Sequence, residues 1–177
     1  HAEYELNVRL KRRYGADGIA DVFMMDKNIE IRTMLIEDYE EIINLWKRIK
    51  GFRIREIDDD YLHIRKFLER NAGLSVVAVK DGHVMGTILS GHDGRRGSFY
   101  HVCVDKSCRG LNIATDMVKE AINRLKAEGI SKITLIAYKK NLPGNLFWKN
   151  RNWKQNTEIN SYEFVLNKDN VSNIVMY

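Results

Sequence analysis

The chain has little cysteine, no long apolar run and no cluster of metal-ligating side chains. Its two cysteines, Cys103 and Cys108, do not make a disulfide framework, and Cys103 falls in an apolar strand pattern. A reducing, cytoplasmic setting is the simple expectation. No apolar stretch approaches the roughly 18 residues that span a bilayer, so no membrane partner is expected. His1, His63, His83, His92 and His101 do not fall beside cysteines or acids at ligand spacing, which argues against a metal site. There is no G-x-G-x-x-G after the first strand, and this disfavours a dinucleotide-binding oxidoreductase. The net charge of +5 comes from basic residues interspersed with acids. The one basic cluster, Arg9, Lys11, Arg12 and Arg13, reads as a solvated strand end, and no RNP-like aromatic motif or zinc-finger spacing accompanies it. Nucleic acid is therefore not an expected partner; an anionic ligand is compatible with the charge.

What is present is one domain's worth of chain, 177 residues, with no internal repeat. Residues 1–27 read as an extension of uncertain role that opens on His1, a processed or truncated start. In it Tyr4, Leu6, Val8 and Leu10 alternate as in a strand, and residues 15–18 as in a turn. Residues 28–166 form the regular part. Ile29 and Ile31 mark a first strand, and Tyr39, Ile42, Ile43, Trp46 and Ile49 the core stripe of a helix. Asp58, Asp59 and Asp60 offer N-caps to a second helix carrying Tyr61, Ile64, Phe67 and Leu68. Strands at 74–79 and 84–90 flank Asp81-Gly82, a strong hairpin signal. The glycine-rich turn 91–97 leads to a third strand. A helix, a strand with Ile133, Leu135 and Ala137, a short helix behind Pro143, and a last strand at 161–166 complete the order. Residues 167–177 read as a polar, loose tail.

The most informative segment runs from Tyr100 to Gly129. An apolar strand, Tyr100-His101-Val102-Cys103-Val104, gives way to a polar turn and then to Arg109-Gly110-Leu111-Asn112-Ile113-Ala114-Thr115. An amphipathic helix follows, with Met117, Val118, Ala121, Ile122 and Leu125 on one side. A strand that feeds a small-residue turn into a helix N-terminus is suited to an anion. The first N–H groups have no internal partner, and the helix dipole adds positive potential. Arg109 adds a planar cation and Gly110 allows close backbone approach.

This stretch resembles the pyrophosphate-binding motif of the GNAT superfamily, the GCN5-related N-acetyltransferases: Arg/Gln-x-x-Gly-x-Gly/Ala after apolar-x-Val. Here it is Arg109-x-x-Asn112-x-Ala114 after Val102-x-Val104, with Asn112 in place of the usual glycine. Asn is the residue other than glycine most at ease in a left-handed turn. A second marker lies at 141–153. The family pattern Asn-x-x-Ala-x-x-apolar-Tyr-x-x-x-Gly-Phe reads Asn141-x-x-Gly144-x-x-Phe147-Trp148-x-x-x-Asn152-Trp153. The spacing holds; Gly144, Trp148 and Asn152 depart from type. The 91–97 turn, with Asp93-Gly94 and Arg95-Arg96-Gly97, is similar to one in a small bacterial GNAT branch of unassigned substrate.

The resemblance covers residues 28–166 and implies an α/β (α+β) fold, with a mixed, mostly antiparallel central sheet and flanking helices. It implies acetyl transfer from acetyl-CoA, as cosubstrate, to an amine acceptor by direct attack in a ternary complex. Val102, Cys103, Val104, the stretch Arg109 to Thr115, Asn141, Asn145 and Trp148 would bind the cofactor. Phe52, Arg53 and Arg55 match the region that shapes the acceptor site. The family's usual acid, a tyrosine, is replaced by Trp148, whose indole donates a hydrogen bond but is no acid. The catalytic candidates are Tyr100, placed first, and His101, on opposite faces if strand alternation holds. Glu56 and Asp58 in the loop are lesser candidates. A second reading, of another class, is a CoA-binding GNAT-fold regulatory module without catalysis. A homodimer is left open.

Overall fold

The computed structural model describes residues 28–176. The extension, with its expected strand and turn, lies outside these. Five strands form the main sheet in the order β1 (Ile29–Thr33), β3 (Val76–Lys80), β4 (His83–His92), β5 (Gly97–Val104) and β6 (Ile133–Thr134). Each neighbouring pair among the first four is antiparallel, and β6 runs parallel to β5. Helices α1 (Tyr39–Arg48) and α2 (Tyr61–Arg70) cover one face. Helix α3 (Ile113–Ala127) covers the other, and α4 (Leu142–Asn150) sends Phe147 and Trp148 against the same cluster. A separate two-stranded sheet pairs β2 (Arg53–Arg55) with β7 (Ser172–Ile174).

Period-two alternation separates the two cores. On β3, Val76 and Ala78 meet α3, whereas Val77 joins Ile42, Leu45 and Trp46 of α1. The buried stripe of α3, Ile113, Met117, Val118, Ala121 and Leu125, repeats at helical spacing. It sits close to the sheet because Gly86 has no side chain. A Cβ there would stand 2.8 Å from Met117 Cε and 3.2 Å from the Cys103 carbonyl. Fully burying a side chain such as Leu125 or Ile42 contributes about 1.5–3 kcal/mol, so these two faces supply most of the hydrophobic stabilisation.

The three consecutive aspartates divide their labour. Asp60 caps α2, its side chain accepting from the His63 N–H at 2.8 Å, and that bond leads the causes that hold its carboxyl below the ordinary value. One cap suffices for a helix, so Asp58 and Asp59 are released for other contacts.

The C-terminal reading requires correction. Residues 161–166 make no ladder, and Tyr162, Phe164 and Leu166 are 89, 89 and 93% exposed. The edge strand β6 is two residues long and offers little for a further strand to pair with. The ordered strand lies further on, in the segment expected to be loose: Arg53 pairs with Ile174, Ile54 with Asn173 and Arg55 with Ser172. Among the described residues no helix is long and apolar enough to cross a membrane.

Candidate active site

Strand β5 has a neighbour on both sides only at its start. It pairs with β6 at Gly97–Ile133 and Ser98–Thr134 and then loses it, so Tyr100 to Val104 line an opening in the sheet. On the β4 side the register shifts between Thr87 and Leu89, which places one extra residue in β5. This is a β-bulge, and it locally re-aims side chains. Tyr100 and His101 therefore do not take opposite faces. Tyr100 packs edge-on against Phe67, and His101 lies against Trp46 and Phe52, all on the α1 and α2 side. Beyond them Cys103 returns to that side, while Val102 and Val104 pack toward α3.

His101 is the extra residue's consequence. Its φ of +49° lies in the left-handed region, which costs a residue with a Cβ about 1–3 kcal/mol. Bonds at both ends of the residue hold it there. Its carbonyl accepts from Thr87 Oγ1 at 2.7 Å, and Trp46 Nε1 donates to the same hydroxyl at 3.0 Å. Its ring centroid stands 4.5 Å from Trp46 and 4.8 Å from Phe52. Its Nε2 is 2.7 Å from Asp59 Oδ1. Asp59 is 4% exposed; its Oδ2 accepts from the Arg55 N–H at 2.7 Å, and its carbonyl from the Tyr39 hydroxyl at 2.8 Å. A carboxylate bonded to Nε2 favours the tautomer of a neutral His101 that carries its hydrogen there and presents a lone pair on Nδ1. Asp59 went unnoticed in the sequence, where attention fell on Glu56 and Asp58. The available signal was the aspartate triplet, which holds more acids than one helix cap needs.

The turn at the end of β5 has the conformation that anion binding requires. Gly110 has φ +83°, and Asn112, the N-cap of α3, has φ +58°. Asn112 thus adopts the left-handed geometry expected of the residue that replaces glycine. A Cβ at Gly110 would meet nothing, so its surface faces open space. Arg109 is exposed beside it. Ile113 turns its side chain into the core, and Leu111 packs against the same cluster. The first-turn N–H groups of Ile113, Ala114 and Thr115 are those an α-helix leaves without a carbonyl partner. The entry to this turn is fixed by Asp105. Its Oδ1 accepts from the N–H and hydroxyl of Ser107 at 2.9 and 2.7 Å, and Arg48 Nε donates to its Oδ2 at 3.0 Å. Burial alone would raise the Asp105 carboxyl, but these bonds outweigh it and the group sits below its ordinary value. Cys103, enclosed beside Thr87, has its thiol pushed up to about 11 by burial, which removes it as a nucleophile near neutral pH.

The second marker is placed alongside the first. Asn141 caps α4 through the Gly144 N–H at 3.1 Å, and Asn145 Nδ2 donates to the carbonyls of Tyr138 and Asn141 at 2.9 and 2.8 Å. The two asparagines thus brace the 138–145 turn. A Cβ at Gly144, where the family has alanine, would stand 2.4 Å from Asn141 Nδ2 and displace the capping side chain. Trp148 packs between Phe147 and Trp153, at 4.9 and 4.8 Å, so its ring is part of the aromatic core. No sequence motif pointed to Arg151. Its Nε and Nη2 donate to Thr115 Oγ1 at 2.9 and 2.8 Å, and its guanidinium covers the Phe147 ring at 3.6 Å. One side chain thereby ties the two markers together. Of the residues expected to shape an acceptor site, Arg53 lies over the Tyr138 ring at 4.6 Å, bridging β2 to the chain that leaves β6. Phe52 stacks on Trp46 at 5.6 Å, and Arg55 contributes its backbone to Asp59.

Comparison with known proteins identifies the class. Residues 36–153 match the family model of the GNAT acetyltransferases, and the chain belongs to this family. Solved structures of the same fold include the PaiA N-acetyltransferase of Thermoplasma acidophilum in complex with coenzyme A. It is 19% identical, with TM-score 0.60 over 70% of this chain and 87% of that one. The aminoglycoside N-acetyltransferase AAC(6')-Iy, also with CoA, is 16% identical with TM-score 0.63 over 77% of this chain and 94% of its own. A predicted acetyltransferase of Clostridium acetobutylicum with acetyl-CoA is 22% identical with TM-score 0.57, covering 76% of this chain and 96% of that one.

Proposed function

We propose that the chain transfers an acetyl group from acetyl-CoA to an amine, with His101 as the general base. The observation that carries this reading is the His101–Asp59 pair, its carboxylate buried, with His101 on the strand that leads to the candidate anion-binding turn and lines the β5–β6 opening. The diphosphate fits the first turn of α3, where backbone N–H groups, Gly110 and Arg109 converge. Val102 to Val104 would run beside the acyl arm, with Asn141, Asn145 and Trp148 shaping the opposite wall. An amine entering beside Phe52, Arg53 and Arg55 meets His101.

Asp59 holds the imidazole so that Nδ1 receives the proton as the amine nitrogen bonds to the thioester carbonyl. The carbon–sulfur bond then breaks, and its electron pair leaves on the CoA thiolate. Positioned base catalysis contributes about 10²–10⁴ in rate. His101 takes precedence over Tyr100 in this reading because it has a buried partner that orients it, whereas Tyr100 is half exposed beside Phe67.

The test is CoA release from acetyl-CoA over a panel of small amines and peptide amino termini. Turnover with the wild-type chain and its loss in His101→Asn support the reading; asparagine tolerates the left-handed backbone at this position. Acetyl-CoA binding without turnover on any amine would favour the regulatory module instead.

A further inference from the structure

We infer that Asn170, more than a hundred residues from Asp59 in sequence, is the positioning residue of the His101–Asp59 pair. The inference rests on the reading of His101 as the base. The loop that presents Asp59 is closed from inside by Asp59 itself: Oδ2 takes the Arg55 N–H, the Asp59 N–H donates to the Arg55 carbonyl at 3.2 Å, and the Asp60 N–H to the Ile57 carbonyl at 3.1 Å. This leaves the outward N–H groups of Ile57 and Asp58. Both go to one atom, Asn170 Oδ1, at 3.0 and 3.1 Å, while Asn170 Nδ2 donates to Asp58 Oδ2 at 2.8 Å. A single amide thus satisfies three groups on the two residues immediately before Asp59.

The rest of the strand reaches the other wall of the site. The Glu56 N–H donates to the Val171 carbonyl at 2.9 Å, and the Val175 N–H to the Phe52 carbonyl at 2.9 Å. Phe52 is the ring that lies against His101. Both sides of the imidazole, its carboxylate partner and its aromatic wall, are therefore carried on a loop whose outer edge is supplied by residues 170–175. A loop this short has few bonds of its own to fix an atom, and a displacement of about 1 Å at a reacting group costs on the order of 10²-fold in rate. Asn173 is a built-in control, since its side chain bonds Glu56 and leaves Ile57 and Asp58 alone.

The experiment uses the full chain labelled with ¹⁵N-histidine, with the His101 signal assigned by its absence in His101→Asn. The wild type should show neutral His101 as one tautomer with the hydrogen on Nε2. Asn170→Ala should give a tautomer mixture and speed amide exchange at Ile57 and Asp58 at least tenfold. With acetyl-CoA and an amine that turns over, it should lower kcat about tenfold at unchanged acetyl-CoA KM. Asn173→Ala should leave the His101 signal as in the wild type. If Asn170→Ala does not fold, Asn170→Asp decides: it keeps an acceptor for the two N–H groups and loses the donation to Asp58, so a partial shift in tautomer is expected. A wild-type His101 signal and wild-type exchange in the folded Asn170 variant overturn the inference. Wild-type turnover in His101→Asn overturns the reading of the base instead, and the tautomer and exchange measurements still judge Asn170.

Discussion

The two halves of the proposed site, one for the cofactor and one for the acceptor, are built in opposite ways. The cofactor half is one continuous piece of chain: strand end, Asp105-capped turn, Gly110, the left-handed Asn112 and the first turn of α3. Most of its bonds link residues within a few positions of each other. The acceptor half is assembled from pieces far apart: Trp46 to Thr87, Asp59 to His101, and the loop before Asp59 to Asn170, a separation of 112 to 113 residues. A local motif keeps its shape with little help from the rest of the fold. A site made of distant pieces exists only when the whole fold is in place, so its geometry should be the more sensitive to remote change.

The largest expected effect separates the halves by chemistry. His101→Asn should lower kcat by about 10²–10⁴ and leave the rise in melting temperature caused by acetyl-CoA as it is in the wild type. Tyr100→Phe should stay within a few-fold of wild-type kcat; a larger loss would restore Tyr100 to first place. The complementary break is Arg109→Ala with Gly110→Asp, which puts a carboxylate where the anion should sit. At acetyl-CoA about 100-fold above Kd the wild type should gain about 2.7 kcal/mol of stability, and the double variant none of it. An unchanged gain would place the cofactor elsewhere.

A smaller effect tests whether the two family markers act together. Arg151→Ala removes the two donations to Thr115. A charge-assisted bond contributes about 1.5–3 kcal/mol, so acetyl-CoA KM should rise on the order of tenfold with kcat nearly unchanged. A fall in kcat at constant KM would show that Arg151 serves the acceptor half.

The smallest is a matter of pH. Asp105 has its carboxyl below the ordinary value of 3.8 in the folded chain. Such a group contributes stability above its unfolded value and loses it as pH falls through the folded one. Wild type should therefore lose stability relative to Asp105→Asn below about pH 4, and the difference should be constant near neutrality. Urea midpoints across that range measure it; parallel curves would show that Asp105 contributes no linked stability.

How much of this was legible follows the same division. The α/β architecture, the chain order of the main-sheet strands and their helices up to β6, and the proposed anion-binding turn came from periodicity, turn chemistry and the resemblance carried by two short motifs, because each is encoded by neighbours in sequence. The departure at Asn112 was interpretable for the same reason, since backbone preference belongs to the residue itself. The side-chain placement of Tyr100 and His101 was misread because a bulge is a property of two strands paired together, and alternation assumes none. Asp59 was hidden in a run of three acids whose partners lie on β5, on α2 and just before the C-terminal strand. That strand was hidden too, since it is polar and short and is held by backbone and Asn170 bonds that leave no apolar pattern. By itself the sequence determined where the chain turns, which faces are apolar and where an anion can be held, through interactions whose range is a few residues. Only the tertiary structure decided which acid meets His101 and what braces the loop that carries it, because a hydrogen bond between distant residues depends on the path of all the chain between them.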